Sequence, residues 1–318
     1  MTETFSHAMS GHIMYGNLDD LDRDIIAELR HDSRQSNVEI AKRLNISNHT
    51  VHRRLQKLIN DRTIRLITTV NAESFGFAGS LIGGIHVNRG QVGTAVEELL
   101  ALTNVLTISE TTGRYDILVW AIYRNPDDLY DFLVNRLGAI HSIATTEAMI
   151  NLRTVKTPFQ KVHIDDPRNV TELHNLQSID RRIVEQLVID PRLNTTELSR
   201  NLGVAWNTAH RRLDRLLREG VIRTIVRVGP AALGYRLNIS FLIRIRSGEV
   251  ESVASTLSTF DEILTVAICT GTWDIMATAI FRDADEMSAF IRNRMDHISG
   301  IINLETNIGL QTVRRSGY

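Results

Sequence analysis

SNVEIAKRLNISNHTVHRRLQKLI, residues 36–59, is the stretch on which the fold turns. Ser36 with Glu39 three positions on has the form of a capping box, and Val38, Ile40, Ala41 and Leu44 recur behind it at helical spacing. Asn45-Ile46 makes a turn, Ser47 can cap a further helix, and Val51, Leu55, Leu58 and Ile59 supply its buried stripe. Upstream, Ile25, Ile26 and Leu29 follow Asp22 at helical spacing in a helix expected to end near Asp32. Two helices joined by a short turn, the second of them basic, form the helix-turn-helix arrangement that lays a helix in the major groove of DNA.

The pattern returns as NTTELSRNLGVAWNTAHRRLDRLL, residues 194–217. Asp22 to Lys156 lies over Asp180 to Arg314 with a constant shift of 158 and no gap; Glu39/Glu197, His52/His210, Arg53/Arg211, Gly113/Gly271, Asp116/Asp274 and Arg136/Arg294 all keep the register. A period this long exceeds the roughly 20 to 50 residues of solenoids, so a whole unit is duplicated, and each copy is expected to be a domain pair with its own core. The expected boundaries are a disordered tail at 1–17, helix-turn-helix domains at 18–70 and 176–228, effector and oligomerisation domains at 71–156 and 229–318, and a linker at 157–175. That linker contains Pro158 and Pro167; fully extended it spans roughly 60 Å, enough for both heads to dock on half-sites about 34 Å apart.

The net charge of -1 over 318 residues becomes informative when partitioned. Residues 22–70 and 180–228 each hold ten Lys and Arg against six Asp and Glu, while 71–156 holds six against nine and 229–318 eight against ten. Positive charge confined to two short segments is the footprint of a nucleic-acid reader. One cysteine, Cys269, excludes an intramolecular disulfide and a cysteine-based zinc cluster, and its apolar neighbours fit a small buried hydrophobe. No segment approaches the roughly 18 uninterrupted apolar residues of a membrane span, and the first 20 residues hold no Lys or Arg for a signal peptide, so a cytoplasmic protein is expected.

On the first recognition helix, Asn48, His49, His52, Arg53 and Gln56 project away from the apolar stripe, and Ser47 and Thr50 stand at its start. Arg can bond guanine bidentately and Asn or Gln can bond adenine so, whereas Arg54 and Lys57 lie toward the flanks and suit phosphates. His49 and His52 lack a third ligand at metal spacing, so no metal is expected. The second helix offers Trp206, Asn207, Thr208, His210, Arg211, Arg212 and Arg215; Trp206 reads equally as a core anchor or an exposed contact. Ala205 replaces the capping Ser47, and Asp214 replaces Gln56; an acidic group there accepts from cytosine but repels phosphate, so the heads should prefer different sequences. The β-rich segments Ile64 to Val70 and Ile222 to Val228 could each form a small wing.

After Gly76 the order becomes βαββαβ: strand Leu81 to Val87, helix Val92 to Leu102, strands Val105 to Thr112 and Tyr115 to Tyr123, helix Pro126 to Leu137, and strand Ala144 to Leu152. The fold class is therefore α+β, two tandem copies of a winged helix-turn-helix domain followed by a ferredoxin-like domain with both helices on one face of its sheet. The uncovered sheet face would be apolar, with the other copy as its obvious cover. Between the central strands lie Thr112-Gly113-Arg114-Tyr115-Asp116 and Thr270-Gly271-Thr272-Trp273-Asp274. A glycine permits the hairpin, an aromatic can wall a pocket and a carboxylate can pair with an ammonium group, although a structural aspartate is the default reading.

Leu21-Asp22 and Ile179-Asp180, the run from Ile46-Ser47 to Leu55, Gly220-Val221-Ile222, Phe75-Gly76 and Leu233-Gly234, and the ThrGlyxxAsp hairpins together resemble the Lrp/AsnC, or feast/famine, transcription regulators, twice over. The resemblance implies a DNA-binding head joined to a ligand-sensing domain that also oligomerises, with partners double-stranded DNA and an amino acid or related metabolite. It places the effector near Gly113, Tyr115 and Asp116 and near Gly271, Trp273 and Asp274. Since the usual member has one copy and works as dimers of dimers or larger rings, this chain looks like a covalent pseudo-dimer that could assemble further. Trp273 departs from the usual Tyr, and Arg62 from the Gly that usually follows the recognition helix.

The expected function is thus a sequence-specific regulator with two unlike heads, without cofactor or enzymatic activity. Sirohaem decarboxylases resemble the same architecture and are the enzymatic alternative, but the hairpins hold no histidine. A metabolite-binding protein with degenerate heads would fit Asp214 and Ala205 in the second copy but not the first.

Overall fold

The computed structural model describes residues 18–157 and 176–314; the tail and nearly all of the linker considered above lie outside them. Contacts gather the chain into two compact units, one built from both helical segments (18–75 with 176–234) and one from both β-rich segments (76–157 with 235–314).

In the helical unit the first copy contributes α1 (Asp20–His31), α2 (Asn37–Leu44), α3 (Asn48–Asn60) and β1 (Ile64–Val70). Each start has a local cause: Asp19 accepts from the Asp22 amide, Ser36 and Glu39 complete the capping box, and Ser47 accepts from the Thr50 amide. Ile25, Ile26, Leu29, Ile40, Val51, Leu55 and Leu58 close one core, each contributing about 1.5–3 kcal/mol by its burial. The second copy repeats this with α6 (Ser178–Ile189), α7 (Thr195–Leu202), α8 (Trp206–Arg218) and β6 (Ile222–Val228), around Ile183, Leu187, Leu198, Leu213 and Leu216. Ala205 gives α8 no side-chain cap.

The two wing strands find their partners in each other. β1 and β6 form an antiparallel ribbon, in register from Ile64 opposite Val228 to Val70 opposite Ile222, so the two heads share one piece of sheet. Val226 and Val228 pack on the first core and Val70 on the second.

In the β-rich unit the order βαββαβ is observed twice: β2 (Gly79–Val87), α4 (Val92–Ala101), β3 (Val105–Thr112), β4 (Ile117–Tyr123), α5 (Pro126–Tyr130, continued as a π turn over Asp131–Leu137) and β5 (Ile143–Lys156). The second copy has β7 (Leu237–Ile245), α9 (Val250–Ser258), β8 (Ile263–Cys269), β9 (Ile275–Phe281), α10 (Ala284–Asn293) and β10 (Ile301–Arg314). The last strand of the first copy runs past its expected end at Leu152, and the far ends of both last strands join the copies. Residues 151–156 of β5 pair with β8, and residues 308–314 of β10 pair with β3, closing the barrel β10-β3-β4-β2-β5-β8-β9-β7. Closure leaves no unpaired strand edge in the barrel. Each copy keeps a core between its sheet and its helices, and a further core inside the barrel draws Ile82, Leu118 and Met149 from one copy against Leu242, Ala267 and Met276 from the other.

Candidate DNA-reading surface and sensing hairpins

Packing of Val51, Leu55 and Leu58 into the core turns the opposite face of α3 outward, and Asn48, His49, His52, Arg53, Gln56 and Lys57 are all exposed there. Ser47 and Thr50 are tied to each other, Oγ to Oγ1 at 2.8 Å, and so stabilise the helix start that presents Asn48 and His49. On α8 the outward face carries Trp206, Asn207, His210, Arg211 and Asp214, with Thr208 half-buried. Trp206 is an exposed residue: its ring stacks on His210 with centroids 4.7 Å apart and lies 47% open to solvent. Asp214 is paired with Arg218 at 2.9 Å, which offsets part of its repulsion toward a phosphate.

Three arginines read as phosphate or base contacts take a different place. Arg54 bonds Asp19 and, at 3.2 Å, the buried Asp22; Arg212 bonds Gln177 and, at 3.3 Å, Asp180; Arg215 meets Asp180 at 3.3 Å and Glu219 at 3.5 Å. Asp22 and Asp180 sit at equivalent positions on the first helix of each head and are 4% and 0% exposed, so their charges require these guanidinium partners. The three arginines pin the recognition helix to the first helix of its head. Bonding from the Asp22 amide, then from Arg54, holds the Asp19 carboxyl below the usual range, and Asp19 in turn raises Arg54.

The hairpins of the barrel lie against the opposite copy. Gly113, at φ 120°, approaches Thr306 on β10 so closely that a Cβ there would stand 2.3 Å from its carbonyl oxygen; Gly271, at φ 106°, approaches the Ala148 carbonyl on β5, with the corresponding distance 3.3 Å. Asp116 accepts from the Val87 amide and Asp274 from the Ile245 amide, both at 2.8 Å, the structural role that a hairpin aspartate has by default. Neither aromatic walls an open pocket. Tyr115 and Trp273 are 1% and 3% exposed inside the shared core, and Trp273 Nε1 donates to Tyr115 Oη at 3.3 Å.

Around that contact lies a cluster that sequence reasoning missed. Tyr115 donates to Glu147, Arg114 Nε donates to Tyr115 Oη at 3.1 Å, and Arg114 also meets Glu147 at 3.1 Å and Glu305 at 3.5 Å, with its guanidinium 5.3 Å from the Trp273 ring. Burial, then the bond to Glu147, raises the Tyr115 phenol; the bond from Tyr115, followed by Arg114, lowers the Glu147 carboxyl. Glu147 and Glu305 are one position in the repeat, and a pair of acids recurring at a shift of 158 was the signal available. Elsewhere the hairpins differ. Asn307, fully buried, donates to Thr111 Oγ1 and the Tyr115 carbonyl at 3.1 Å, whereas the equivalent position beside the other hairpin is Met149.

Family models match along most of the chain. An AsnC-type helix-turn-helix domain matches residues 18–59, a winged helix-turn-helix DNA-binding domain matches 176–223, and the Lrp/AsnC ligand binding domain matches twice, at 80–160 and 239–318. The chain belongs to the Lrp/AsnC family. As a family member it is a transcriptional regulator of Lrp/AsnC type, with DNA and a small-molecule effector as its classes of partner. An uncharacterised HTH-type transcriptional regulator of Pyrococcus abyssi is 35% identical over 144 residues, 45% of this chain and 90% of that protein. The HTH-type transcriptional regulator FL11 of the same organism is 34% identical over 139 residues, 43% of this chain and 91% of that protein. Each relative thus spans less than half of this Lrp/AsnC chain, as a match to one copy of a doubled unit must. Among solved structures, the siroheme decarboxylase NirDL aligns over 94% of both chains with a TM-score of 0.65 at 14% identity, a likeness of fold alone. No helix among the described residues is long and apolar enough to cross a membrane.

Proposed function

We propose that this Lrp/AsnC regulator acts as a covalent pseudo-dimer whose two non-identical heads read the unlike halves of an asymmetric operator. The observation that carries the reading is the pair of outward helix faces, equivalent in position and different in chemistry: Asn48, His49, His52, Arg53, Gln56 and Lys57 on α3 against Trp206, Asn207, His210, Arg211 and Asp214 on α8. Ser47 and Thr50 support the start of α3, Thr208 lies half-buried at the start of α8, and Arg54, Arg212 and Arg215 serve by holding the recognition helices to their heads. The shared ribbon and the closed barrel support treating the single chain as the analogue of two subunits.

Occupancy of the operator responds to an amino acid or related metabolite at the hairpins of Gly113 and Gly271. Tyr115, Asp116, Trp273 and Asp274 shape those hairpins from within, through the hydrogen bond from Trp273 to Tyr115 and the bonds from the Val87 and Ile245 amides. The protein works in the cytoplasm without enzymatic activity, and pseudo-dimers assemble further into homo-oligomers; Tyr130 and Val134, exposed on the π-turn side of the first copy, offer apolar surface for this.

Selection of bound duplexes from a random pool, followed by titration at two salt concentrations, tests the reading. Arg53→Ala and Arg211→Ala should each weaken the selected duplex by about 1–3 kcal/mol, roughly 5- to 150-fold, if the guanidinium bonds a base. Loss of a phosphate contact would instead flatten the salt slope by about 0.9. Equal binding of selected and scrambled duplexes would defeat the proposal. A parallel arm with added sirohaem covers the enzyme of like fold: a haem-type spectrum with product carrying fewer carboxylates would favour that activity.

A further inference from the structure

The two heads are joined by more than the ribbon. Arg34, in the loop between α1 and α2, donates from Nη1 to the Pro191 carbonyl at 3.0 Å and from Nη2 to the Leu193 carbonyl at 2.7 Å, both in the equivalent loop of the second head. Arg192, the same position in the repeat, returns the contact: its Nη2 donates to the Gln35 carbonyl at 3.3 Å and to Asn37 Oδ1 at 3.0 Å. Asp32 and Asp190 shape the two loops, accepting from the Arg34 and Arg192 amides at 2.9 and 3.0 Å. Both arginines are largely withdrawn from water, and the withdrawal lowers their pKa.

A guanidinium held in this way loses hydration that backbone carbonyls replace only in part. For joining two domains a pair of apolar side chains would be the less costly choice, whereas a planar fork with its donors at fixed angles fixes direction as well as distance. The ribbon alone does not do that. A two-stranded antiparallel ribbon takes a larger twist than a wider sheet; Val226 and Val228 seat it on the first core and Val70 on the second, yet a change in its twist would swing one recognition helix against the other. The crossed arginines grip both heads at the loops that begin α2 and α7, the helices that lead into α3 and α8, and so oppose that rotation.

We propose that Arg34 and Arg192 are positioning residues that set the half-site spacing this regulator accepts. The inference rests on the DNA-reading proposal for its consequence, and on the described contacts for its cause. Each inserted base pair moves one half-site by about 3.4 Å and turns it by about 35° around the duplex. A clamped pair of heads cannot follow, while a pair joined by a twistable ribbon can follow in part.

The experiment uses the full chain and two readouts. Spin labels on Lys42→Cys and Arg200→Cys, equivalent exposed sites outside the reading faces, in a Cys269→Ser background, give the distribution of head-to-head distances without DNA. The unsubstituted clamp should give one narrow distribution; Arg34→Ala with Arg192→Ala should broaden it, and Asn37→Ala, which removes only one acceptor, should broaden it less. In parallel, the selected duplex is compared with versions carrying one or two inserted base pairs between its halves. The wild type should lose at least about 30-fold in affinity on insertion, and the double variant less than about 5-fold. A distribution that stays narrow in the double variant overturns the proposal, as does an unchanged spacing profile. If no duplex is bound specifically, the DNA reading fails separately, and the distance distributions still decide whether the arginines clamp the heads.

Discussion

Replacing Gly113 and Gly271 by alanine, one at a time, places the same methyl group at equivalent points of the two copies and should give unequal results. Each substitution forces an L residue to a φ that it rarely adopts, 120° in one case and 106° in the other, at about 1–3 kcal/mol. The new Cβ at 113 would lie 2.3 Å from the Thr306 carbonyl oxygen, whereas at 271 it would lie 3.3 Å from that of Ala148. The first contact is with the backbone of a strand paired on both sides, β10 between β3 and β7, so it relaxes only by moving the barrel seam; overpacking of this kind costs a further ~1–3 kcal/mol. Gly113→Ala is therefore expected to destabilise by about 2–6 kcal/mol and Gly271→Ala by about 1–3 kcal/mol. With a urea m value of about 2 kcal/mol/M, the midpoints should fall by roughly 1–3 M and 0.5–1.5 M. Urea unfolding followed by tryptophan emission reports on the barrel through the buried Trp273. Equal midpoints for the two variants, or a larger fall for Gly271→Ala, would refute the close approach at the β10 seam.

Arg62 holds a left-handed backbone at φ 56° where the second copy has Gly220 at 67°, so Arg62→Gly should stabilise the first head by about 1 kcal/mol, read as a raised Tm. A lowered Tm would mean that the Arg62 side chain contributes more than its backbone strain costs. Because the Asp19 pKa is depressed in the folded state, its charge stabilises above the unfolded value of about 4, and that contribution is lost as pH falls through the lower folded value. The Tm difference between wild type and Asp19→Asn should be full at pH 6 and shrink below about pH 4; a difference independent of pH would contradict a carboxylate stabilised by the Asp22 amide and Arg54. Burial in the barrel core pushes the Cys269 thiol up to about 12. Iodoacetamide at pH 8 should accordingly leave native protein unmodified over hours and label it within minutes in urea, and fast native labelling would show that the core opens.

Much of this was legible in the chain itself. The shift of 158 announced two equivalent halves, capping signals at Ser36 and Ser47 marked helix starts that the structure keeps, and the apolar stripe of α3 identified its outward residues correctly. What escaped was whatever one copy does to the other. Residues 153–156 fell beyond the expected strand end at Leu152 because the partner that makes them a strand, β8, is more than 100 residues away. The wing segments looked like single strands for the same reason, their pairing lying in the opposite head. Arg54, Arg212 and Arg215 were misplaced because a helical wheel gives direction and not neighbours: the buried Asp22 and Asp180 that claim them belong to another helix. Tyr115 and Trp273 were read as pocket walls since periodicity cannot distinguish a ring facing a cavity from one buried against the opposite copy.

The lone Arg114 between Glu147 and Glu305 shows what fusion of the two copies makes available. In an assembly of identical subunits every residue near the two-fold axis occurs an even number of times, so an arginine at this position would bring a second one, and two cations would contend for two acids in a confined space. Here the equivalent position is Thr272, and one guanidinium serves both carboxylates. Joining the halves into one polypeptide frees central positions from obligatory duplication, so odd stoichiometries of charge, and ligand sites with a single correct orientation, become open to selection.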